Sequence, residues 1–249
     1  DSMYNYYEQG ENKTGLLHLD ADGKELKRIE FNQTDENGNS FYVSNFFVDN
    51  SGNVYLSDWQ NVYIYDQDGN KKTTVDLGEN GGELCELKAG VVGVCYYKND
   101  EAKPEESGRV FQEIDPATGK LTGDTVKLPD SAYNFFPGDD VYDIYYDYNG
   151  NIYGYKFDTD TKDKVIDWIE CDINSNNLNS YSILPDGRVI AFENSYDDGM
   201  EKNTMQLIVM TRVDAASVVN KTVLTFACMY LDWNMRDAIV KFNRASNTH

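Results

Sequence analysis

Basic residues are scarce in this chain of 249 residues: 22 Lys and Arg stand against 43 Asp and Glu, a formal charge of −21. Such a surface repels phosphate backbones and anionic headgroups, which argues against nucleic acid or an anionic membrane surface as a partner. Histidine is nearly absent, with only His18 and the terminal His249. That leaves little for zinc ligation or for a Ser-His-Asp arrangement, and His18, in the alternating run LLHLD, reads as structural. There are four cysteines and no CxxC pair, too few for a disulfide framework in a chain of this length. Cys85 and Cys95 flank a turn at Ala89-Gly90 and are expected as free thiols, with a bond across the hairpin as the alternative. No apolar run reaches membrane-spanning length, no signal peptide is evident, and no Gly-rich loop leads from strand to helix to cradle a phosphate. No cofactor and no metal are expected.

Tyrosine, by contrast, is abundant: 19 of them with only 5 prolines suit pleated sheet better than disorder. The pattern is set by residues 45–77, NFFVDNSGNVYLSDWQNVYIYDQDGNKKTTVDL, four short runs rich in Val, Tyr, Ile and Thr. Asp49-Asn50-Ser51-Gly52 and Asp66-Gln67-Asp68-Gly69 place Gly where a hairpin needs positive φ and Asp where a side chain can bond the turn backbone. The stretch therefore predicts a four-stranded antiparallel meander, and it recurs. Residues 2–32 match its second to fourth strands, 83–128 form a third unit, 141–174 a fourth with its last strand short or absent, and 178–213 a fifth. Gly52, Gly90, Gly150 and Gly187 mark the turns between first and second strands at spacings of about forty residues or more, the period of propeller blades. An all-β fold follows: a β-propeller of five four-stranded blades over residues 1–213, with six blades or an incomplete propeller as alternatives. The absent opening strand, with Asp1 in mid-pattern, leads us to expect either chain upstream, including a removed leader or lipid-anchor segment, or a closing strand borrowed from elsewhere in the chain.

The pattern changes after Val213. Residues 214–221 read as a linker, and 222–249 as the truncated start of an α/β domain: the apolar strand TVLTFACMYL, then Asp232 capping a helix from Trp233 to about Phe242. Met235, Ala238, Ile239 and Phe242 make its apolar stripe. The strand, Leu224 to Met229, is expected to add to the edge of the fifth blade, which lacks a fourth strand. The helix is expected to lie on the outside of the propeller through Met235, Ile239 and Phe242.

The strand Val223 to Ala227, Tyr230-Leu231-Asp232 and the helix ending Phe242-Asn243 resemble the start of the solute-binding domain of family 1 extracellular solute-binding proteins. These are lipoproteins that deliver sugars to ABC importers. The similarity is to the gut Firmicutes subset in which a Tyr- and Asp-rich repeat region precedes that domain, and it covers 29 residues. It implies a protein that is extracellular and anchored at the cell surface, in which the repeats are a non-catalytic binding or docking module. The implied partners are a carbohydrate or the adjacent solute-binding domain, with no direct membrane insertion of these residues. A monomer is expected.

The Asp-x-Asp-Gly turns lack the acidic twelfth residue of a calcium loop, where Phe31 and Leu77 stand, so they are hairpin turns. Acidic pairs at Glu105-Glu106, Asp139-Asp140 and Asp197-Asp198 leave a propeller glycoside hydrolase or lyase as the enzymatic alternative. A structural spacer is the third reading. In the meander the loops joining second to third strands, and one blade to the next, emerge on one side, and the longer connections are all expected to belong to it. These would bring Trp59, Phe135, Phe136, Asp139, Asp140, Tyr196, Asp197 and Asp198 to one rim, where aromatic faces beside acceptor oxygens suit neutral sugars.

Overall fold

The structure, a computed structural model, describes residues 2–8, 11–20, 22–31, 42–78, 81–184, 186–196, 203–213 and 227–245. The chain is an all-β protein of β-propeller type with one C-terminal helix, and it divides into two compact units, Asp1–Asp130 and Ser131–His249. The first unit holds three antiparallel meanders. They are β1 (Ser2–Glu8), β2 (Glu11–Leu19) and β3 (Glu25–Phe31); β4 (Asn45–Val48), β5 (Val54–Ser57), β6 (Asn61–Tyr65) and β7 (Lys71–Asp76); and β8 (Glu83–Glu86), β9 (Val92–Lys98), β10 (Gly108–Asp115) and β11 (Lys120–Lys127). The second unit holds two more, β12 (Tyr133–Pro137), β13 (Ile144–Tyr148), β14 (Asn151–Lys156) and β15 (Thr161–Asp167), then β16 (Leu178–Ile183), β17 (Val189–Tyr196) and β18 (Asn203–Met210), followed by α1 (Trp233–Ala245).

Alternation explains why consecutive sheets stack. In the second sheet Tyr55, Val62, Ile64 and Val75 pack on Leu84, Val92, Val94 and Ile114 of the third. Their neighbours Val54, Leu56, Tyr63 and Tyr65 point the other way, onto Leu16 and Phe31 of the first. Because successive strand residues face opposite sides, a middle strand covered on both sides reads as a continuous apolar run, and β5 and β6 do. Each such side chain contributes about 1.5–3 kcal/mol on burial. The outermost strands are different. β7, β11 and β15 carry exposed Lys71, Lys72, Lys120, Lys127, Lys162 and Lys164, charges that keep an open edge from pairing with another chain. In the second unit Tyr145, Ile152, Ile166 and Trp168 pack on Ile183, Val189 and Ala191 of the last sheet.

The turns form as their Asp and Gly residues require. Asp49 Oδ1 accepts the backbone N–H of Ser51 (2.8 Å) and Asn53 (2.9 Å), and Gly52 takes φ 80°. Asp66 does the same for Asp68 and Asn70, with Gly69 at φ 83°. A side chain at Gly69 would also crowd Ile29 of the first sheet, with a Cβ 2.6 Å from Ile29 Cγ2, so this glycine serves both the turn and the packing.

Several expectations are corrected. The fourth sheet has all four strands, and its first is YNFFP (β12), so Phe135 and Phe136 lie in a strand rather than a rim loop. The Asn149-Gly150 hairpin, both residues at positive φ, joins second and third strands, not first and second. It has the chemistry of a two-residue hairpin turn, and local sequence does not say which hairpin it closes. Cys85 and Cys95 are joined by a disulfide: β8 and β9 bring their Cα atoms to 6.4 Å, within bonding range.

At the C-terminus Asp232 Oδ1 accepts the N–H of Met235 (2.8 Å), the cap that was expected. The helix is rotated from the expected stripe: Val240 is its buried residue, while Ala238 and Phe242 are exposed. Polar anchors decide the rotation, since Arg244 and Trp233 both bond the sheet region, as described below. Of the strand expected over Leu224 to Met229, residues 224–226 lie outside the described residues, as does the whole 214–221 linker. Residues 227–230 form no strand, Met229 is exposed, and among the described residues β18 pairs only with β17.

Candidate functional site

Trp59 occupies the tip of the link 58–60 between β5 and β6, in the first unit. Its backbone has φ 82°, while among the described residues the other non-glycine residues at positive φ are Ala89, Asn134, Asn149, Asp160 and Asp172. Asn and Asp tolerate that region because their side chains bond locally; a bulky aromatic held there costs about 1–3 kcal/mol and persists only where the surroundings fix it. The surroundings do fix it. Asp58 Oδ1 accepts the N–H of Gln60 (3.1 Å) and Asn61 (2.7 Å), and its Oδ2 accepts the Tyr63 hydroxyl (2.8 Å). Trp59 N donates to Ser57 Oγ (3.2 Å), and its carbonyl accepts from Gly82 N (2.9 Å). The indole edge lies against Gly81 so closely that any Cβ there would collide with Nε1. With all this support the side chain is still 53 % exposed.

The remaining expected site residues belong to the second unit, and those among the described residues do not form one rim. Phe135 is buried in β12, and Phe136 packs on Tyr181 with ring centroids 5.3 Å apart. Both serve the core. Asp139 and exposed Asp140 lie in the β12–β13 turn, at the opposite end of the sheet from the β13–β14 link. Their end was misassigned together with the strand order. Tyr196 is the last residue of β17, and Asp197 and Asp198 lie outside the described residues.

Asp139 is committed to structure. Its Oδ1 accepts the N–H of Val141 (2.8 Å) and Tyr142 (3.0 Å), and its Oδ2 accepts the Tyr145 hydroxyl (2.6 Å) with Arg212 Nη2 at 3.6 Å. Burial raises its pKa, but the bonds from Tyr145, Tyr142 and Val141 and the Arg212 charge outweigh that and hold the carboxyl below its ordinary value. Tyr145 moves the opposite way, upward, through burial first and then the Asp139 carboxylate. A carboxylate held ionised with its lone pairs occupied is a poor proton donor. The same device recurs: Tyr55 donates to Asp49 (2.9 Å), Tyr63 to Asp58 (2.8 Å) and Tyr155 to Asp160 (2.8 Å). Much of the Tyr and Asp richness is thus turn-to-strand tethering. Glu105 and Glu106 sit exposed in a short 3-10 turn, Glu106 bonded to Lys103 Nζ at 2.5 Å.

One polar group escaped sequence reasoning. Asp147 is buried in β13, bonded through Oδ2 to the Tyr181 hydroxyl, and its Oδ1 has no partner among the described residues. Its cross-strand neighbour is Tyr133, 44 % exposed, beside a bulge at Asn134. The signal was available: a carboxylate interrupts the apolar run IYYDY, and buried charges are rare unless they have a task. Among the described residues no three His, Cys, Asp or Glu side chains come together to hold a metal, and no helix is long and apolar enough to cross a membrane.

No family model matches the chain, and no curated protein matches it. Among solved structures, a protein of unknown function from Bacteroides caccae aligns over 93 % of this chain and 80 % of its own, at 10 % identity and a TM-score of 0.42. A member of the DUF4221 family from Bacteroides vulgatus aligns over 84 % and 77 %, at 12 % identity and 0.41. A structure described as the eukaryotic initiation factor aligns over 90 % and 55 %, at 14 % identity and 0.35. At such scores these likenesses carry no argument about function.

Proposed function

We propose that this chain is a non-catalytic, extracellular binding module of a surface-anchored solute-binding lipoprotein of the ABC-importer type, and that it binds neutral carbohydrate at Trp59. The five sheets are then the five blades of one propeller. The observation that carries the reading is the strained, half-exposed Trp59, braced by Asp58, Ser57 and Gly81-Gly82. A folded protein that holds a large aromatic outward in a costly conformation has a use for its face, and stacking on the CH face of a sugar is the use such a platform suits. The Cys85–Cys95 disulfide supports the extracellular assignment, because disulfides persist in oxidising compartments.

Docking of the adjacent solute-binding domain is the second reading, favoured by α1. Trp233 Nε1 donates to Asn177 Oδ1 (3.1 Å) and Arg244 reaches Glu193, so the helix that resembles that domain's start is fastened to the sheets of the second unit. A thermal-shift screen of the chain against neutral oligosaccharides separates the two. A ligand that binds only the folded state must raise the unfolding temperature by mass action. Stabilisation that Trp59→Ala abolishes supports the binding module; no stabilisation by any saccharide leaves docking as the function.

A further inference from the structure

A second site lies at the other end of the second sheet from Trp59. A crevice of about 410 Å³ opens between the first and second sheets, within the range of small-molecule sites. Its floor is aliphatic, made by Leu16 and Ile29 on one side and Val48 and Val54 on the other; His18 also lines it, and no Trp, Tyr or Phe does. At its mouth Lys27 Nζ donates to the Gln67 carbonyl (2.5 Å) and to Asp68 Oδ1 (2.7 Å). An ammonium carries three N–H groups, so one donor remains, and Asp68 Oδ2 accepts nothing among the described residues. A spare cationic donor and a spare anionic acceptor therefore stand together over an aliphatic floor.

We propose that this crevice binds a free aliphatic amino acid of about leucine size. Its side chain fills the floor, its α-carboxylate takes the Lys27 donor, and its α-ammonium takes Asp68. The Lys27–Asp68 pair is solvent-exposed, and such pairs contribute little, so it opens cheaply to admit a zwitterion that gives each partner a new counter-charge. Competing chemistries fit less well. A sugar finds no Trp, Tyr or Phe face to stack on here. A fatty acid would leave Asp68 without a cation and would meet the field of a chain with charge −21. A zwitterion carries no net charge.

Isothermal titration of the intact chain with L-leucine, N-acetyl-L-leucine and L-leucinamide tests this. Leucine is expected to bind at one site, and each analogue, lacking one charge, at least about tenfold more weakly. Lys27→Ala and Asp68→Ala, both at exposed positions, should weaken leucine by about tenfold or more with an unchanged circular dichroism spectrum. Trp59→Ala should leave leucine binding as it is, which keeps this site distinct from the carbohydrate reading. No leucine binding up to about 20 mM, equal binding of all three compounds, or undiminished binding by both variants would overturn the proposal.

Discussion

Arg244 Nη2 lies 3.0 Å from Oε2 and 3.3 Å from Oε1 of Glu193, a strand residue only 3 % exposed, while Arg244 Nε donates to the Asp172 carbonyl at 2.9 Å. A buried carboxylate on β17 is thus neutralised from the last turn of α1, and the helix is oriented by a charge more than by its one buried residue, Val240.

Removing one partner of a buried pair strands the other charge, which typically costs about 3–5 kcal/mol; Arg244 is itself half exposed, so about 2 kcal/mol is expected for Arg244→Ala. The helix should loosen first. Hydrogen exchange over residues 233–245 is predicted to accelerate in that variant, and Arg244→Ala with Glu193→Gln should recover part of the lost stability. Unchanged exchange in the single variant would show that the pair does not hold the helix.

Acidification should weaken the turns. Burial raises the Asp49 carboxyl, but bonds from Asn53, Tyr55 and Ser51 more than offset it, leaving the pKa lowered; Asp139 is lowered by the same balance. Because the folded-state values lie below the unfolded ones, the stabilisation is present above the ordinary carboxyl pKa of about 3.9 and is lost as pH falls through the depressed values. Asp49→Asn is predicted to destabilise by about 1 kcal/mol at pH 7, allowing for the partial exposure of the carboxyl, and by progressively less as the pH is lowered toward about 2 and the wild-type carboxyl takes up its proton. Urea unfolding at the two pH values measures it.

The disulfide predicts a thiol count. Of the four cysteines only Cys171 and Cys228 are free, so denatured, unreduced protein should titrate two thiols and reduced protein four. Reduction should lower stability by about 2–3 kcal/mol, the loop-closure value for a bridge of this span. Four thiols without reduction would contradict the assignment.

The second and third sheets were legible strand by strand because their Asp and Gly turns fall where tight hairpins require them. The fourth reads out of phase because its first turn, at Asp139, uses a side-chain cap without a positive-φ glycine, so that in the sequence the Asn149-Gly150 hairpin has the stronger turn signal. With that phase Phe135 and Phe136 fall in a loop, whereas they lie in β12, and Asp139 and Asp140 fall at the opposite end of the sheet from where the structure has them. The Cys85–Cys95 bond stands in the sequence only as the alternative to free thiols because its registry depends on how β8 and β9 pair, which the nine intervening residues do not specify. Helix α1 was placed correctly by its Asp232 cap, but its rotation depends on Glu193, a tertiary partner about fifty residues away. Trp59 was legible as a loop aromatic; its strain was not, since backbone torsion at a loop tip is set by Asp58, Gly81 and Gly82 together.

Gly81 offers a test of that bracing. Gly81 has φ 59° and its Cβ position is filled by the indole, so Gly81→Ala should displace Trp59. A red-shifted, more quenchable tryptophan emission is expected, with the fold retained.

Carbohydrate recognition by Trp59 is tested most directly by tryptophan fluorescence titration with neutral oligosaccharides, comparing the wild-type chain with Trp59→Phe and Trp59→Ala. Saturable change in the wild type, weaker binding by the phenylalanine variant, and loss in the alanine variant of about 1–3 kcal/mol, the worth of a stacked ring, is the predicted result. Binding of equal strength in all three proteins would contradict it.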